Sequence, residues 1–351
     1  MSVEIAREHS IQPLAAEWDE LAERAGAAPW LRPGWIGAWR NAFGRGLLEL
    51  LTLRRGGRLA AVLPLERRAG TLRSTANWHT PAFGLLAEDA AAARELARTL
   101  FACGGRRVVL AFLDAGDRGL DDCLAAARGA RHRVIVRTLE RSPYVTVDGD
   151  WTAYEARRDG KLLRELRRRG RRLGEQGRVE LDVADGRERL DELLEEGLRI
   201  EAAAWKGERG TAIESSADTR RFYSEVARWA AARGWLRLAF LRLDGRPLAF
   251  DYCIEERGVH YLLKTGYDPA YRALAPAMLL RREMLARAFS TGLARYEFLG
   301  TDEPWKLEWA EDRRELRLLQ AFAPSAPGLV DWAAFAFARP LAKRALAWRG
   351  A

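Results

Sequence analysis

The chain has 351 residues, 48% hydrophobic and 30% charged, with 13 Trp, so it is too long for one ordinary domain and able to bury two sizeable cores. Its formal charge of +9 attracts phosphate-bearing partners, whether nucleic acid, anionic lipid or a phosphorylated cofactor. Cys103, Cys123, Cys253 and the four histidines are scattered, without Cys-x-x-Cys or His-Glu-x-x-His spacing, which argues against a disulfide framework and any metal site. The opening Met1-Ser2-Val3-Glu4 lacks a basic stretch followed by an apolar run, and no apolar run reaches ~18 residues. A cytoplasmic protein with no transmembrane segment is expected, peripheral contact with a membrane being the most that the pattern allows.

In chain order, helices are expected near 14–25 and 33–43, followed by a strand, turn and strand over 46–61. That hairpin aligns without a gap on 234–249. Identical pairs are Gly46/Gly234, Leu48/Leu236, Leu50/Leu238, Leu53/Leu241, Arg54/Arg242, Gly57/Gly245, Arg58/Arg246 and Ala61/Ala249. Alternating apolar residues mark the strands, and Gly-Gly or Asp-Gly supplies the positive φ of a two-residue hairpin. A third strand near 72–78, a helix over 89–101, a strand over 108–113, a further helix and a strand ending at Tyr144 complete the first half. The second half repeats the order. An amphipathic helix over 219–233 carries Phe222, Val226, Trp229 and Ala230 on one stripe. The hairpin, a strand over 259–264, a helix over 277–291, a strand over 295–299 and a last strand near 316–322 follow. Duplication of a mixed α/β unit is the reading. Its sheet is antiparallel at first and gains a parallel pair across the central helix.

This order resembles the GNAT N-acetyltransferase fold, and its doubling resembles FemAB-like tandem proteins. The chain is most similar to the CelD-like acetyltransferases linked to cellulose biosynthesis, on residues 201–214, 262–280 and 298–309. The expected fold class is therefore α/β (α+β): tandem GNAT-like folds with mixed, mostly antiparallel sheets flanked by helices. The expected domains are a degenerate GNAT-like lobe over 1–148, a basic connector helix over 149–178, a GNAT lobe over 179–325 and an amphipathic helix over 326–351.

The resemblance implies an acyl-CoA co-substrate, acetyl-CoA or another, with its pyrophosphate on backbone N–H groups where the central helix starts. A helix N-terminus offers unpaired donors and partial positive charge to an anion. The expected cradle is Ala275, Pro276, Ala277, Met278 and Leu279, with Arg272 as a phosphate partner. Relatives often carry Pro-Gly where this chain has Pro276-Ala277. Direct attack by an amine needs a base and a proton donor for the thiolate. Carboxylates at Glu201, Asp251, Asp268, Asp302 and Glu303 are candidates around the predicted cleft, with Glu201 or Asp302 favoured as base. Lys264 ends an apolar strand and can pair with a carboxylate such as Asp268. Tyr267 or Tyr271 can protonate the thiolate. Trp205, Lys206, His79, Phe83 and Lys306 are expected to line the acceptor site, for a small-molecule or saccharide amine.

Between the lobes, 157–178 is dense in Arg, with an apolar stripe of Leu162, Leu163, Leu166 and Leu173. It reads as a linker helix packed on the second lobe, or as a surface for RNA, anionic membrane or a polyanionic substrate. The segment 331–348 also resembles an interfacial helix. Two alternatives to acyl-CoA chemistry stay open: FemAB-type transfer from aminoacyl-tRNA into a peptidoglycan bridge, and a non-catalytic GNAT-like binding module.

Overall fold

The computed structural model describes residues 3–103, 105–203, 213 and 216–338, without the side chains of 337 and 338. Of these, 3–40, 44–140 and 315–338 form one compact unit, and 41–43 with 141–314 form a second.

In the first unit, β1 (Val3–Glu8), β2 (Leu47–Arg55), β3 (Arg58–Arg68), β4 (Thr71–Ser74) and β6 (Arg107–Asp114) are neighbours in that order, with the short β5 (Leu86–Ala87) beside β3. Residues 316–322 of β13 (Asp312–Phe322) complete the sheet antiparallel to β6. The helices are α1 (Ala15–Arg24), α2 (Pro33–Phe43), α3 (Ala90–Ala102) and α4 (Arg118–Gly129), with α11 (Ala326–Ala333) near the end of the chain. Trp18, Trp35, Leu50, Leu63 and Leu96 are among the residues that fill its core.

The second unit takes its sheet from the end of β7 (Arg133–Thr146), then β12 (Arg295–Glu297), β11 (Val259–Tyr267), β10 (Arg246–Glu256), β9 (Leu236–Leu243) and β8 (Val179–Ala184), in that spatial order. Its helices are α5 (Trp151–Ala156), α6 (Gly160–Gly174), α7 (Leu190–Ala203), α8 (Ala217–Ala232), α9 (Pro276–Ser290) and α10 (Pro304–Leu307).

The duplication is visible in backbone detail. Both hairpin turns have two positive φ angles, 57° and 80° at Gly56-Gly57 and 49° and 81° at Asp244-Gly245, the conformation that matches the strand twist. Both hairpins carry a register shift, at Leu53/Arg54 and at Pro247/Ala249. The next turns repeat the pattern at Ala69-Gly70 and Arg257-Gly258. Each third strand then pairs in parallel with the strand that follows the next α-helix, β4 with β6 and β11 with β12.

Several expectations are corrected. The edge strands β1 and β8 were not anticipated: each is only six residues long, and neither buries a residue, so the short alternation of Val179, Leu181 and Val183 with Glu180 and Asp182 stands apart from the core pattern. Strand β12 ends at Glu297 instead of 299, since Leu299 (φ 54°) and Gly300 (φ 60°) turn the chain away. The connector is two helices: Asp159 caps α6 by accepting the Lys161 N–H at 2.7 Å. The buried stripe of α8 runs through Phe222, Tyr223, Val226, Ala227 and Ala230, with Trp229 outside it. Residues 144–146 of the first half of the sequence pair with β12, and 316–322 of the second pair with β6. Apolar alternation marks a strand without naming the sheet edge it will join.

Candidate active site

The centre of the second unit is the strand pair β11 and β12. Their parallel pairing runs from Val259↔Arg295 to Tyr261↔Glu297 and stops there, while β11 continues to Tyr267 against β10. Beyond Tyr261 the ladder ends, because β12 itself stops at Glu297. The 3-10 turn Pro269–Leu274 follows, capped by Asp268, whose Oδ1 accepts the Ala270 N–H at 3.0 Å. Asp268 also pairs with Arg246 at 2.7 Å.

Ala275 enters α9 in a left-handed conformation (φ 50°, ψ 51°), which a non-glycine residue adopts at a cost. Pro276 starts the helix without a side-chain cap. Of the expected cradle, the Ala275 N–H donates to Arg272 O at 3.1 Å, and those of Met278 and Leu279 donate to Ala275 O at 3.0 and 3.1 Å. Pro276 has no N–H. Ala277 is left as the backbone donor at the helix start that has no carbonyl partner among the described residues. The side chains of Ala277, Met278 and Leu279 pack on the core, and Arg272 is exposed.

One face of the sheet packs on α9. There Arg281, on the buried side of α9, donates to the Asp251 carboxylate at 2.8 Å, to the Tyr296 hydroxyl and to Thr265 Oγ1 at 3.4 Å. Arg281 and Asp251 are both buried. Burial works against the Arg281 charge, but Asp251 overcomes it and the guanidinium pKa is raised. On the same helix Arg287 reaches Glu255, which also pairs with Arg237 at 2.9 Å and with His260 Nδ1 at 3.0 Å. His260 stacks on Tyr296 with ring centroids 4.4 Å apart. Burial lowers the His260 pKa against the pull of Glu255. Burial would raise that of Glu255, but His260 and Arg287 outweigh it and hold the carboxyl at about 2.

The opposite face packs on α7 and α8. Gly197 of α7 lies against the Phe250 ring, and Gly266 of β11 lies against the Glu201 backbone. Both are close approaches that a β-carbon would fill. Glu201 is fully buried beside the part of β11 that runs past the end of β12, and its Oε2 accepts the Ile213 N–H at 2.9 Å. Burial, then the Glu201 charge, raises the Tyr223 pKa. Lys264 Nζ stands 5.2 Å from the centre of the Tyr223 ring, and the Tyr252 hydroxyl donates to Tyr223 O at 3.0 Å. Glu201 and Lys264 are thus brought together around Tyr223.

The other expected residues are dispersed. Asp302 is half-buried and pairs with Arg313 at 3.3 Å. Tyr267 packs at the edge of the α9 core. Lys306 is buried, its ammonium donating to Leu299 O at 2.7 Å and Thr301 O at 2.9 Å, and so braces a turn. Phe83 is a core residue of the first unit, with 3% of its surface exposed. His79 is half-buried in the same unit, its N–H donating to Asn77 Oδ1 at 3.0 Å. Trp205 and Lys206 lie outside the described residues. No group of three or more metal-binding side chains occurs among the described residues, and no described helix is long and apolar enough to cross a membrane.

Arg281, Tyr223, Tyr252, Tyr296, Glu255 and His260 escaped sequence reasoning. Arg281 left a signal: it falls on the stripe Ala277, Leu280, Met284, Leu285, Ala288, where a charge needs a buried partner. Asp251, inside an apolar strand, is that partner.

The family model for an acetyltransferase (GNAT) domain matches residues 160–307. Among solved structures, FemX superposes with a TM-score of 0.60 at 10% identity, over 92% of this chain and 97% of FemX. L-PGS from Bacillus licheniformis superposes with a TM-score of 0.56 at 13% identity, over 92% and 96%. No curated protein matches the chain. At these identities the structural likeness is one of fold. Together the parallel strand pair and the match define an acyltransferase fold. Residues 160–307 therefore carry a GNAT-type acetyltransferase domain, and the chain as a whole shares its fold with FemX and L-PGS.

Proposed function

We propose that the second unit transfers an acyl group from acyl-CoA, acetyl-CoA first among them, to an amine by direct attack. The acceptor is a small molecule or saccharide, such as the amino sugar or polysaccharide precursor that the CelD-like resemblance implies. The observation that carries this reading is the end of the β11–β12 ladder at Tyr261, with β11 running on to Tyr267 before the turn into α9. There the backbone of β11 past Tyr261 can receive a thioester carbonyl, while Ala277 N–H and Arg272 offer donors to phosphate. Glu201, oriented by the Ile213 N–H, takes the proton that the amine nitrogen loses as its bond to the acyl carbon forms. The C–S bond breaks, and Tyr267 returns a proton to the thiolate.

The test is release of free thiol from acetyl-CoA in the presence of a panel of amino sugars and other amines, for wild type and Glu201→Gln. The expected result is amine-dependent thiol release that falls about 100-fold in the variant while desulfo-CoA still binds. Thiol release that Glu201→Gln leaves unchanged would remove Glu201 from the mechanism. Failure of every amine, with aminoacyl transfer from charged tRNA instead, would favour the FemAB-type chemistry.

A further inference from the structure

We propose that the second unit carries a docking face for an anionic lipid bilayer, centred on the groove between α6, β8 and α9. The inference is independent of the acyl-transfer reading. Helix α6 buries Leu163, Leu166 and Leu173, so its apolar stripe is consumed by packing and its cationic side is turned outward. Along that side Arg168 and Arg169 are held by Glu165. No carboxylate stands within ion-pair distance of Lys161, Arg164, Arg171 or Arg172 among the described residues. The cationic charge is therefore not neutralised within the unit, and it faces solvent.

Beside this row lies a groove of about 360 Å³. Leu166, Leu173, Leu241 and Leu279 line it, and Arg167, Arg171 and Arg282 stand at its rim with the single carboxylate Glu283. Arg282 is committed to Glu155 at 2.6 Å and Glu283 at 2.9 Å, and the largely exposed Arg167 shares Glu155 at 3.9 Å, which leaves Arg171 as the rim cation with no ion pair among the described residues. On the edge strand β8, Val179 and Leu181 also line the groove with 37% and 38% of their surface exposed. Aliphatic side chains left in water next to unneutralised guanidinium groups complement a phosphate headgroup joined to a hydrocarbon chain. RNA would use the same cations, but among the described residues no aromatic ring lines the groove to stack a base. The chemistry favours lipid.

The experiment is co-sedimentation of the full chain with vesicles of phosphatidylcholine alone and of phosphatidylcholine with about one third phosphatidylglycerol. Binding is expected to the anionic vesicles only, and to weaken as salt is raised. The exposed pair Arg167→Glu/Arg171→Glu should weaken it about tenfold or more, while the same charge change at Arg94 and Arg98 of α3 should leave it near wild type. Leu181→Asn should weaken binding without altering its salt dependence. Equal binding by wild type and Arg167→Glu/Arg171→Glu would overturn the proposal. So would equal affinity for both vesicle types, or salt-sensitive binding of tRNA with none to anionic vesicles.

Discussion

Gly266 of β11 and Glu201 of α7 meet backbone to backbone: a β-carbon at 266 would stand 2.9 Å from the Glu201 nitrogen and closer still to its Cα. The contact lets α7 lie flat on the sheet where β11 runs past the end of β12, and it fixes the position of the favoured base. Gly266→Ala must push helix and strand apart. It is expected to lower stability by about 1–3 kcal/mol and to reduce acyl transfer by more than the lost folded fraction explains. Urea unfolding with a turnover assay on the folded enzyme checks this; an unchanged midpoint would mean that the approach is looser.

Arg281 and Asp251 are buried together, so removing one leaves the other charged and unpaired. Arg281→Met is expected to cost about 3–5 kcal/mol. The double variant Arg281→Met/Asp251→Leu should cost less than Arg281→Met alone, because no isolated charge remains. Denaturant unfolding of wild type and the two variants measures the difference, and a double variant that costs more than Arg281→Met would contradict a buried pair.

His260 supplies a pH dependence. The unfolded imidazole takes a proton below about 6.5, while the buried ring, whose Nε2 has no hydrogen-bond partner, resists one to lower pH. The stability that this difference contributes is intact above that value and declines as pH falls below it. Thermal unfolding between about pH 7 and 5 should therefore show a steeper fall for wild type than for His260→Phe, which keeps the stack on Tyr296. Equal slopes would locate the dependence elsewhere.

Lys306 is expected to act on structure. Its ammonium joins Leu299 O and Thr301 O across a turn with two positive φ angles. Lys306→Met should lower stability by about 1.5–3 kcal/mol and leave the KM for the acceptor amine near wild type. A raised KM with unchanged stability would give Lys306 the role of acceptor ligand.

The duplicated hairpins were legible because a two-residue turn demands positive φ at both positions, and Gly56-Gly57 and Asp244-Gly245 declare it. Helix α9 was legible from Pro276 and the apolar run after it. The edge strands β1 and β8 were not, since neither buries a face. The destination of each half's last strand was not, since pairing at a sheet edge is decided by tertiary contacts. At the site, Glu201 and Lys264 were named from sequence, but Tyr223, which links them, was concealed as an ordinary apolar position of α8. The cradle was half legible. Proline announced the helix start, and an N-cap carbonyl takes the first N–H groups of any helix, but the left-handed Ala275 is a conformation that an alanine gives no sign of adopting.

The most direct test is calorimetric titration of acetyl-CoA and desulfo-CoA into the full chain and into Ala277→Pro, which deletes the one cradle N–H without a carbonyl partner at a first-turn position where proline is tolerated. Saturable one-site binding to wild type, weakened about tenfold or more in an Ala277→Pro variant with unchanged thermal unfolding, is the predicted result. No binding to wild type at roughly millimolar CoA, weaker than any useful co-substrate affinity, would contradict acyl-CoA as the donor.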